Sequence, residues 1–286
     1  MSKNLKEVKN RIKSVTNIGK VTNAMYLIAA AKMKKSKSIN ISADLYLTKL
    51  MNTLDGLSLD SGVEHPYFNR NDTKRVLFIV YSTKRGLCGG LPTNILKSYL
   101  DLKNEYFGNL IDVIVVGNKI NNKIKNDKGV NVIASYENFG DDINSSTVDE
   151  VLSFVKIKYK SEDYRTVQLI YPYADTSFSQ KVKNVELLPI NRESFRSNDK
   201  NTTQSNSFKI EPNPETLLDV FIQMYLQSSI YNAFIQTITA EYSARMLAMK
   251  NASDNAVEIK KYLVQEFNKS RQAQITKELA EITAAL

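Results

Sequence analysis

The C-terminal quarter of the chain has the apolar and polar pattern of one very long helix. Pro214 is followed by no further proline and by no glycine up to Leu286. Asn213 suits the N-cap of such a helix and Pro214 its first position, where a missing N–H costs nothing. At a rise of about 1.5 Å per residue, a helix of some 70 residues is roughly 105 Å long. A single core in a chain of this size cannot bury it, so we expect the helix to project and to need a partner.

Apolar residues of this helix follow alternating steps of four and three. The series is Leu217, Phe221, Met224, Ser228, Tyr231, Ile235, Ile238, Tyr242, Arg245, Met249, Ala252, Ala256, Ile259 and Leu263. This heptad spacing is typical of a coiled coil. The pattern then decays into Glu266, Ser270, Ala273 and Lys277. Because a lone polar helix is marginal in water, we expect the last two or three turns to leave any intrachain partner and lie inside another protein, with a frayed tail as the alternative.

The N-terminus supplies a partner for the long helix. Asn4 and Glu7 have capping-box spacing. Apolar positions then recur at helical intervals, and the pattern persists as far as Leu57; its first members are Leu5, Val8, Ile12, Val15, Thr22 and Tyr26. Two long helices at opposite ends of one chain predict an antiparallel coiled coil formed by the termini.

Strand and helix patterns alternate in the middle of the chain. Apolar runs predict strands at 75–82, 111–117 and 166–173, and an alternating edge strand at 181–188. Helical patterns lie between them, at about 92–106, 118–126 and 146–159. This alternation is typical of the α/β class with a mostly parallel, Rossmann-like sheet.

These patterns together predict the organisation of the chain. A polar stretch with few apolar residues, 192–207, indicates a flexible connection back to the long helix. The predicted parts are a coiled-coil helix over residues 1–58, a central α/β domain over 74–191, a polar linker over 192–210 and a second coiled-coil helix over 211–286.

Candidate chemistry in the central domain is sparse. Cys88 is the only cysteine and His65 the only histidine, which argues against a zinc site and against histidine-dependent catalysis. The Gly86–Gly90 loop follows a strand and precedes a helix, but it lacks the spacing of known nucleotide-binding loops. We interpret Cys88 as a small buried residue, His65-Pro66 as a turn, and Asp141-Asp142 as solvated acids. We predict no catalytic residue, no cofactor and no metal.

Positive charge is concentrated at the N-terminus. Residues 1–40 contain ten Lys or Arg against one acid, Glu7, an excess equal to the +9 of the whole chain. Such a surface can bind nucleic acid or an anionic membrane, can complement an acidic protein, or can be the solvated side of a coiled coil. Tyr26 is the single aromatic residue there, which weakens the nucleic-acid interpretation.

Membrane insertion is not expected from the sequence. The longest apolar run, residues 24–31, is too short to span a bilayer, and the N-terminus does not resemble a signal peptide. We therefore expect a cytoplasmic location.

Several motifs, in order and at matching spacing, resemble the gamma subunit of F-type ATP synthases over nearly the whole chain. They lie at 11–15, 20–25, 29–33, 65–67, 85–90 and 211–214, and the most specific ones at 244–256 (ARMLAMKNASDNA) and 267–279 (FNKSRQAQITKEL). The resemblance implies the central rotor shaft, a non-catalytic subunit whose terminal helices lie within a ring of three alpha and three beta subunits. It implies an α/β domain outside that ring, near the epsilon subunit and the c-ring, and nucleotide bound on beta rather than on this chain.

The resemblance also implies a location and a set of contact residues. The location is the cytoplasmic face of the bacterial cell membrane, reached only through the complex, with no nucleic-acid partner. Contacts with the alpha/beta ring are implied for Lys20, Met25, Arg245, Arg271, Gln272, Thr276 and Glu278. Arg271 and Gln272 match positions that contact a beta-subunit loop, while Arg245 and Glu278 match positions tied to coupling efficiency. Glu211 matches the side that faces epsilon and the c-ring.

Some residues depart from the family pattern. Lys84 stands where an acid is common and Asn23 where a lysine is common, while Ser270 and Lys277 replace a common alanine and glutamine. These changes leave open a gamma-like shaft in a divergent ATPase that is not coupled to proton flow. Two further hypotheses are a basic coiled-coil protein that binds nucleic acid or lipid, and an enzyme built on the central domain.

Overall fold

The structure is a computed structural model that describes residues 5–61, 65–137, 145–176, 178–191 and 214–284. It divides into two compact units. One is Met33–Ala244, and the other combines Met1–Lys32 with Arg245–Leu286. The predicted linker at 192–210 and the residue Glu211 lie outside the described residues, as do Asp141 and Asp142, and the proposed domain limits stay predictions.

Two long helices contribute to both units, as the apolar pattern predicts. Helix α1 is Leu5–Ser61 and helix α5 is Pro214–Ala284, so α5 begins at the proline and runs unbroken. Within Met33–Ala244, the Asp44 side chain of α1 accepts hydrogen bonds from Asn232 and Gln236 of α5. In the other unit, Gly19 of α1 approaches Ala256 of α5. Residue numbers rise along one helix as they fall along the other, so the pair is antiparallel.

A five-stranded sheet with the order β3-β2-β1-β4-β5 lies in the Met33–Ala244 unit. The strands are β1 Arg75–Tyr81, β2 Leu110–Val116, β3 Val130–Tyr136, β4 Thr166–Ala174 and β5 Gln180–Leu188. The connecting helices are α2 Leu91–Glu105, α3 Asn121–Lys125 and α4 Ser145–Lys160. The first four strands are parallel and β5 is antiparallel at the edge, which confirms the mostly parallel α/β class.

Alternate side chains of a strand point to opposite faces of the sheet, and each face packs in its own apolar core. Helix α5 contributes to both cores, with Ile222 in one and Ala240 in the other. Even-numbered residues of β1, such as Phe78, share a core with α2 and α3. Odd-numbered residues, such as Ile79, share a larger core with α4 and with both long helices, including Leu54 of α1 and Ile222 of α5. The sheet and the helix pair of this unit are therefore held by one continuous apolar core.

Burial along α5 differs in part from the predicted heptad seam. Beyond residue 244 the seam residues Met249, Ala256 and Leu263 are buried, although Ile259 is 49% exposed. Nearer the start of α5, Leu218, Ile222, Leu226 and Ile230 are buried, whereas the predicted seam residue Met224 is exposed. The reason is that this part of α5 contributes to the core of the sheet as well as contacting α1, so its buried face is wider than a two-helix seam.

The sequence interpretation missed strand β3. Val130–Tyr136 is a half-buried edge strand with no continuous apolar run, so the pattern used for the central strands did not detect it. The turn at His65 is confirmed: its Nδ1 accepts from the Tyr67 N–H at 3.3 Å and caps a short 3₁₀ helix, Pro66–Phe68. Among the described helices, none is long and apolar enough to cross a membrane.

Candidate functional site

The end of α5 is a single helix whose side chains are all open to solvent. Every described residue from Arg271 to Ala284 is exposed. This confirms the expectation that the last turns leave the intrachain partner. Because a short lone helix is marginal in water, this segment is a candidate surface for another protein.

An apolar stripe runs along this exposed end. Ile275, Leu279 and Ile282 are 48%, 59% and 60% exposed, and their spacing of four and three places them on one side of the helix. The sequence interpretation followed the heptad series as it decays into Ser270, Ala273 and Lys277, and it missed this stripe. Its four-and-three spacing after residue 270 was the signal that could have revealed it.

Four predicted contact residues border the stripe. At about 3.6 residues per turn, Arg271 and Glu278 lie along one side of it, and Gln272 and Thr276 along the other. Thr276 Oγ1 donates to the Gln272 carbonyl at 3.0 Å, and Glu278 accepts from Gln274 at 2.8 Å. These bonds stay on α5, so the Thr276 and Glu278 side chains are positioned by their own helix.

The opposite side of the same helix has a different character. Lys277 and Glu281 form an i,i+4 ion pair with a distance of 3.5 Å between Nζ and Oε1, and both side chains are mostly exposed. Such exposed pairs contribute little to stability. The end of α5 thus has a recognition side with the apolar stripe and a polar side with this ion pair.

Arg245 does not belong to that exposed surface. The residue is only 8% exposed, so most of its surface is covered by other atoms of the chain. The structure therefore places Arg245 apart from the four residues at the end of α5, and leaves it little surface for a partner.

Lys20 and Met25 lie on α1, where they belong to different sides of the helix. Lys20 is exposed and Met25 is half buried. With Met25, the residues Ile18, Val21 and Ile28 form a stripe spaced three, four and three, and those three side chains are 55%, 58% and 59% exposed. Lys20 lies on the other side, away from this stripe and from the seam. The unit that contains Met1–Lys32 therefore has apolar side chains exposed outside its coiled-coil seam.

Exposed apolar side chains also occur on α5 in the same unit. Val257 is 67% exposed and Tyr262 is 64% exposed. Single exposed apolar residues are ordinary, and Val257 and Tyr262 lie on different sides of α5. The stripes on both helices of this unit, with Ile18 on α1 and Ile275 on α5, indicate a surface that another protein covers.

The basic N-terminal residues form a solvated surface. Lys6, Lys9, Lys13 and Lys20 are exposed, and Arg11 pairs with Glu7 at 2.8 Å one turn earlier. Tyr26 is half buried, so its ring is not presented openly for stacking on a base. This arrangement favours a solvated coiled-coil face over a nucleic-acid site.

Cys88 and His65 have the side chains best suited to catalysis, but their contacts are those of structural residues. Cys88 is 2% exposed, and its Sγ lies 3.6 Å from the Arg85 carbonyl. Burial lowers the pKa of His65 in spite of its contact with Asp219, whose Oδ1 is 3.3 Å from Nε2. Within the described residues, no group of three or more His, Cys, Asp and Glu side chains could hold a metal ion.

Comparisons with known proteins agree on one family. The ATP synthase family model matches residues 4–286. The ATP synthase gamma chain of Pelotomaculum thermopropionicum is 33% identical over 279 residues, covering 97% of this chain and 96% of the relative. That of Nitrosospira multiformis is 35% identical over 286 residues, with the same coverage of both chains.

A solved structure with a similar fold comes from a mitochondrial enzyme. The rotor of the Euglena gracilis mitochondrial ATP synthase aligns with a TM-score of 0.67, 18% identity, 95% of this chain and 98% of that one. At this identity the likeness concerns the fold alone.

Proposed function

Because the chain belongs to the ATP synthase gamma chain family, we propose that it is the central rotor shaft of an F-type ATP synthase, which transmits torque between the c-ring and the catalytic beta subunits. The observation that carries the proposal is the exposed end of α5, with its apolar stripe of Ile275, Leu279 and Ile282. The partners are three alpha and three beta subunits, the epsilon subunit and the c-ring of the membrane sector.

The shaft acts as an asymmetric cam. One side of the α5 end carries the apolar stripe and the other carries the Lys277–Glu281 pair. A ring of three beta subunits that surrounds such a helix meets a different chemical surface at each of its three positions. Rotation then brings each beta subunit in turn against the apolar side, which makes the three catalytic sites unequal.

Low friction follows from the size of the contact. The stripe has three apolar side chains, and the residues on its borders are polar, namely Arg271, Gln272, Thr276 and Glu278. The hydrogen bonds of these polar groups can pass from one beta subunit to the next during rotation. Because the apolar stripe is small, it does not form an extensive hydrophobic interface that would arrest rotation.

The proposed contact residues differ in how much of each side chain is exposed to a partner. The four residues at the α5 end and Lys20 contact the ring directly through exposed side chains. Met25 contributes through the stripe it shares with Ile18 and Val21. Arg245 acts mainly by holding its own region in shape, since it is 8% exposed. Glu211 is proposed to face epsilon or the c-ring.

The chain is proposed to be a non-catalytic subunit that binds no nucleotide. Its membrane association is peripheral and is mediated by the complex, at the cytoplasmic face of the bacterial membrane. Catalysis and ion transport are functions of its partners, and the shaft connects them.

The composition of the native complex tests this proposal. An affinity tag on the N-terminus, purification from the native membrane and quantitative mass spectrometry should give one copy of this chain per three alpha and three beta subunits, with epsilon and c subunits present. Recovery with alpha and beta but without any membrane subunit would favour a divergent ATPase shaft. Recovery with nucleic acid, or without alpha and beta, would overturn the assignment.

A further inference from the structure

A buried carboxylate of α5 binds the loop that follows the first strand. Glu241 is 6% exposed, and its Oε2 accepts the Lys84 N–H at 2.8 Å. Its Oε1 lies 3.4 Å from the Arg85 nitrogen and accepts that N–H as well. Both carboxylate oxygens are therefore used by consecutive backbone donors of one loop.

This loop occupies the position where α/β sheets bind anions. It follows the carboxyl end of β1, and the strand order reverses between β1 and β4, since β2 and β3 lie on one side of β1 and β4 and β5 on the other. The crevice at such a switch point is the usual ligand site of open α/β sheets. Backbone N–H groups that converge there suit a negatively charged ligand.

Three basic residues belong to this loop or lie next to it. Lys84 and Arg85 are part of it, and the Lys119 ammonium lies 3.6 Å from where a Cβ atom on Gly86 would be. Two residues of α5 near Glu241, Ala240 and Ala244, are buried in the same core as α2 and the end of β1. The helix therefore lies against the carboxyl edge of the sheet, where a bound ligand would otherwise lie.

We propose that this is an anion-binding loop whose ligand is the Glu241 carboxylate of the chain's own α5, and that the resulting joint passes torque from the α/β domain into the shaft. The second part of the proposal rests on the proposed rotor function. The first part concerns only the chain itself and stands without it.

A second hydrogen bond makes this joint resistant to twisting. Ser243 Oγ accepts from the Gln180 amide of β5 at 3.0 Å. Glu241 and Ser243 are two residues apart, about 200° around the helix, so they point to nearly opposite sides of α5. The helix is thus held by the β1 loop on one side and by β5 on the other. Two attachments on opposite sides of an axis resist its rotation better than one.

An isosteric substitution isolates the role of the second carboxylate oxygen. In Glu241→Gln the side chain keeps its size, but one acceptor oxygen becomes an NH₂ donor that faces a backbone N–H. We expect the Lys84 and Arg85 amides to exchange hydrogen at least ten-fold faster in Glu241→Gln than in the wild-type chain. Glu105→Gln, at an exposed glutamate of α2, is the matched control and should leave this exchange unchanged.

A small carboxylate should replace the lost side chain. In Glu241→Ala, addition of sodium acetate should slow exchange of the same two amides, while sodium chloride at equal ionic strength should not. Equal effects of the two salts would mean that the loop has no specific affinity for a carboxylate. Unchanged amide exchange in Glu241→Gln would overturn the anion-loop assignment even if the Ala variant does not fold.

Torque transfer is tested in the assembled complex in inverted membrane vesicles. For Glu241→Gln we expect the maximal ATP-driven ion gradient, divided by the ATP hydrolysis rate, to fall at least two-fold relative to wild type and to Glu105→Gln. A loss of stability alone would lower gradient and hydrolysis together and leave their ratio unchanged, which would overturn the torque role. If the wild-type complex itself builds no gradient, the proposed rotor function fails. The hydrogen-exchange data then still test whether the loop binds the Glu241 carboxylate.

Discussion

A Cβ atom added to Gly19 would lie 3.3 Å from the Cβ atom of Ala256, tighter than an ordinary contact. The backbones of α1 and α5 therefore approach closely at this level of the coiled coil. Close approach of two helices needs small residues on both sides, and this pair provides them. A glycine inside a helix costs roughly 0.5–1 kcal/mol relative to alanine, so its presence here has a packing reason.

Enlarging Gly19 should separate the two helices. We expect Gly19→Leu to lower the free energy of unfolding by about 1–3 kcal/mol, because overpacking forces the backbone and neighbouring side chains to shift. Urea unfolding followed by circular dichroism measures the change. Asn17→Leu, at an exposed position of α1, should have little effect. Equal losses in both variants would show that the close approach is unimportant.

The register of the helix pair near Asp44 depends on partly buried hydrogen bonds. Asn232 donates to Asp44 Oδ1 at 2.8 Å, and Asn232 is 7% exposed. Asp44→Ala should cost about 1–3 kcal/mol, because the Asn232 amide loses this acceptor in a buried site. A double-mutant cycle with Asn232→Ala measures their coupling, for which we expect at least about 0.5 kcal/mol. Strict additivity of the two single changes would contradict the pairing.

The recognition side of the α5 end should matter for torque more than for assembly. Deleting residues 272–286 should reduce torque strongly but assembly only weakly, since the buried seam residues lie before residue 271. Ile275→Asp with Leu279→Asp should lower torque in the same direction, as measured by single-molecule rotation against a viscous load. Lys277→Asp, on the opposite side, is the matched control. Complete loss of assembly on deletion would contradict this division.

His65 should make stability depend on pH. Burial lowers its pKa in the folded protein below the usual value of about 6.5, so protonation favours the unfolded chain. The stability that the neutral His65 side chain contributes is fully present above the pKa of His65 in the unfolded chain. It is lost as the pH falls through the lower pKa of His65 in the folded protein. Between pH 7 and pH 5, wild type should therefore lose more unfolding free energy than His65→Asn, whose side chain can still cap the 3₁₀ helix. As His65 is the only histidine, equal losses would contradict this origin.

Features with a strong local signal were predicted well from the sequence. Pro214 marks the start of α5, and the absence of later glycine and proline indicates its length. The buried strands β1, β2 and β4 have continuous apolar runs, so their positions were predicted within one residue at each end. The motif at 267–279 suggested contact residues at the end of α5; the structure shows that they are exposed, and their contacts stay a prediction.

Features that depend on tertiary contacts were not predicted. β3 has a mixed composition because it is a half-buried edge strand, which leaves no distinct pattern. The wide buried face of α5 near Ile222 depends on a core shared with the sheet and not on spacing along the helix. Glu241 looked like one polar residue among many on a helix, since its partners, the Lys84 and Arg85 amides, are more than 150 residues away in sequence.

Rotation of the chain within its ring tests the central claim most directly. A cysteine introduced by Phe178→Cys, at a 64% exposed position between β4 and β5, with Cys88→Ser removing the buried thiol, can carry a bead while the alpha/beta ring is fixed to a surface. On addition of ATP, the rotor account predicts continuous rotation in one direction in three equal steps per turn, and no net rotation without ATP. A bead that stays still, or that fluctuates without direction in ATP on a fully assembled complex, would contradict the account.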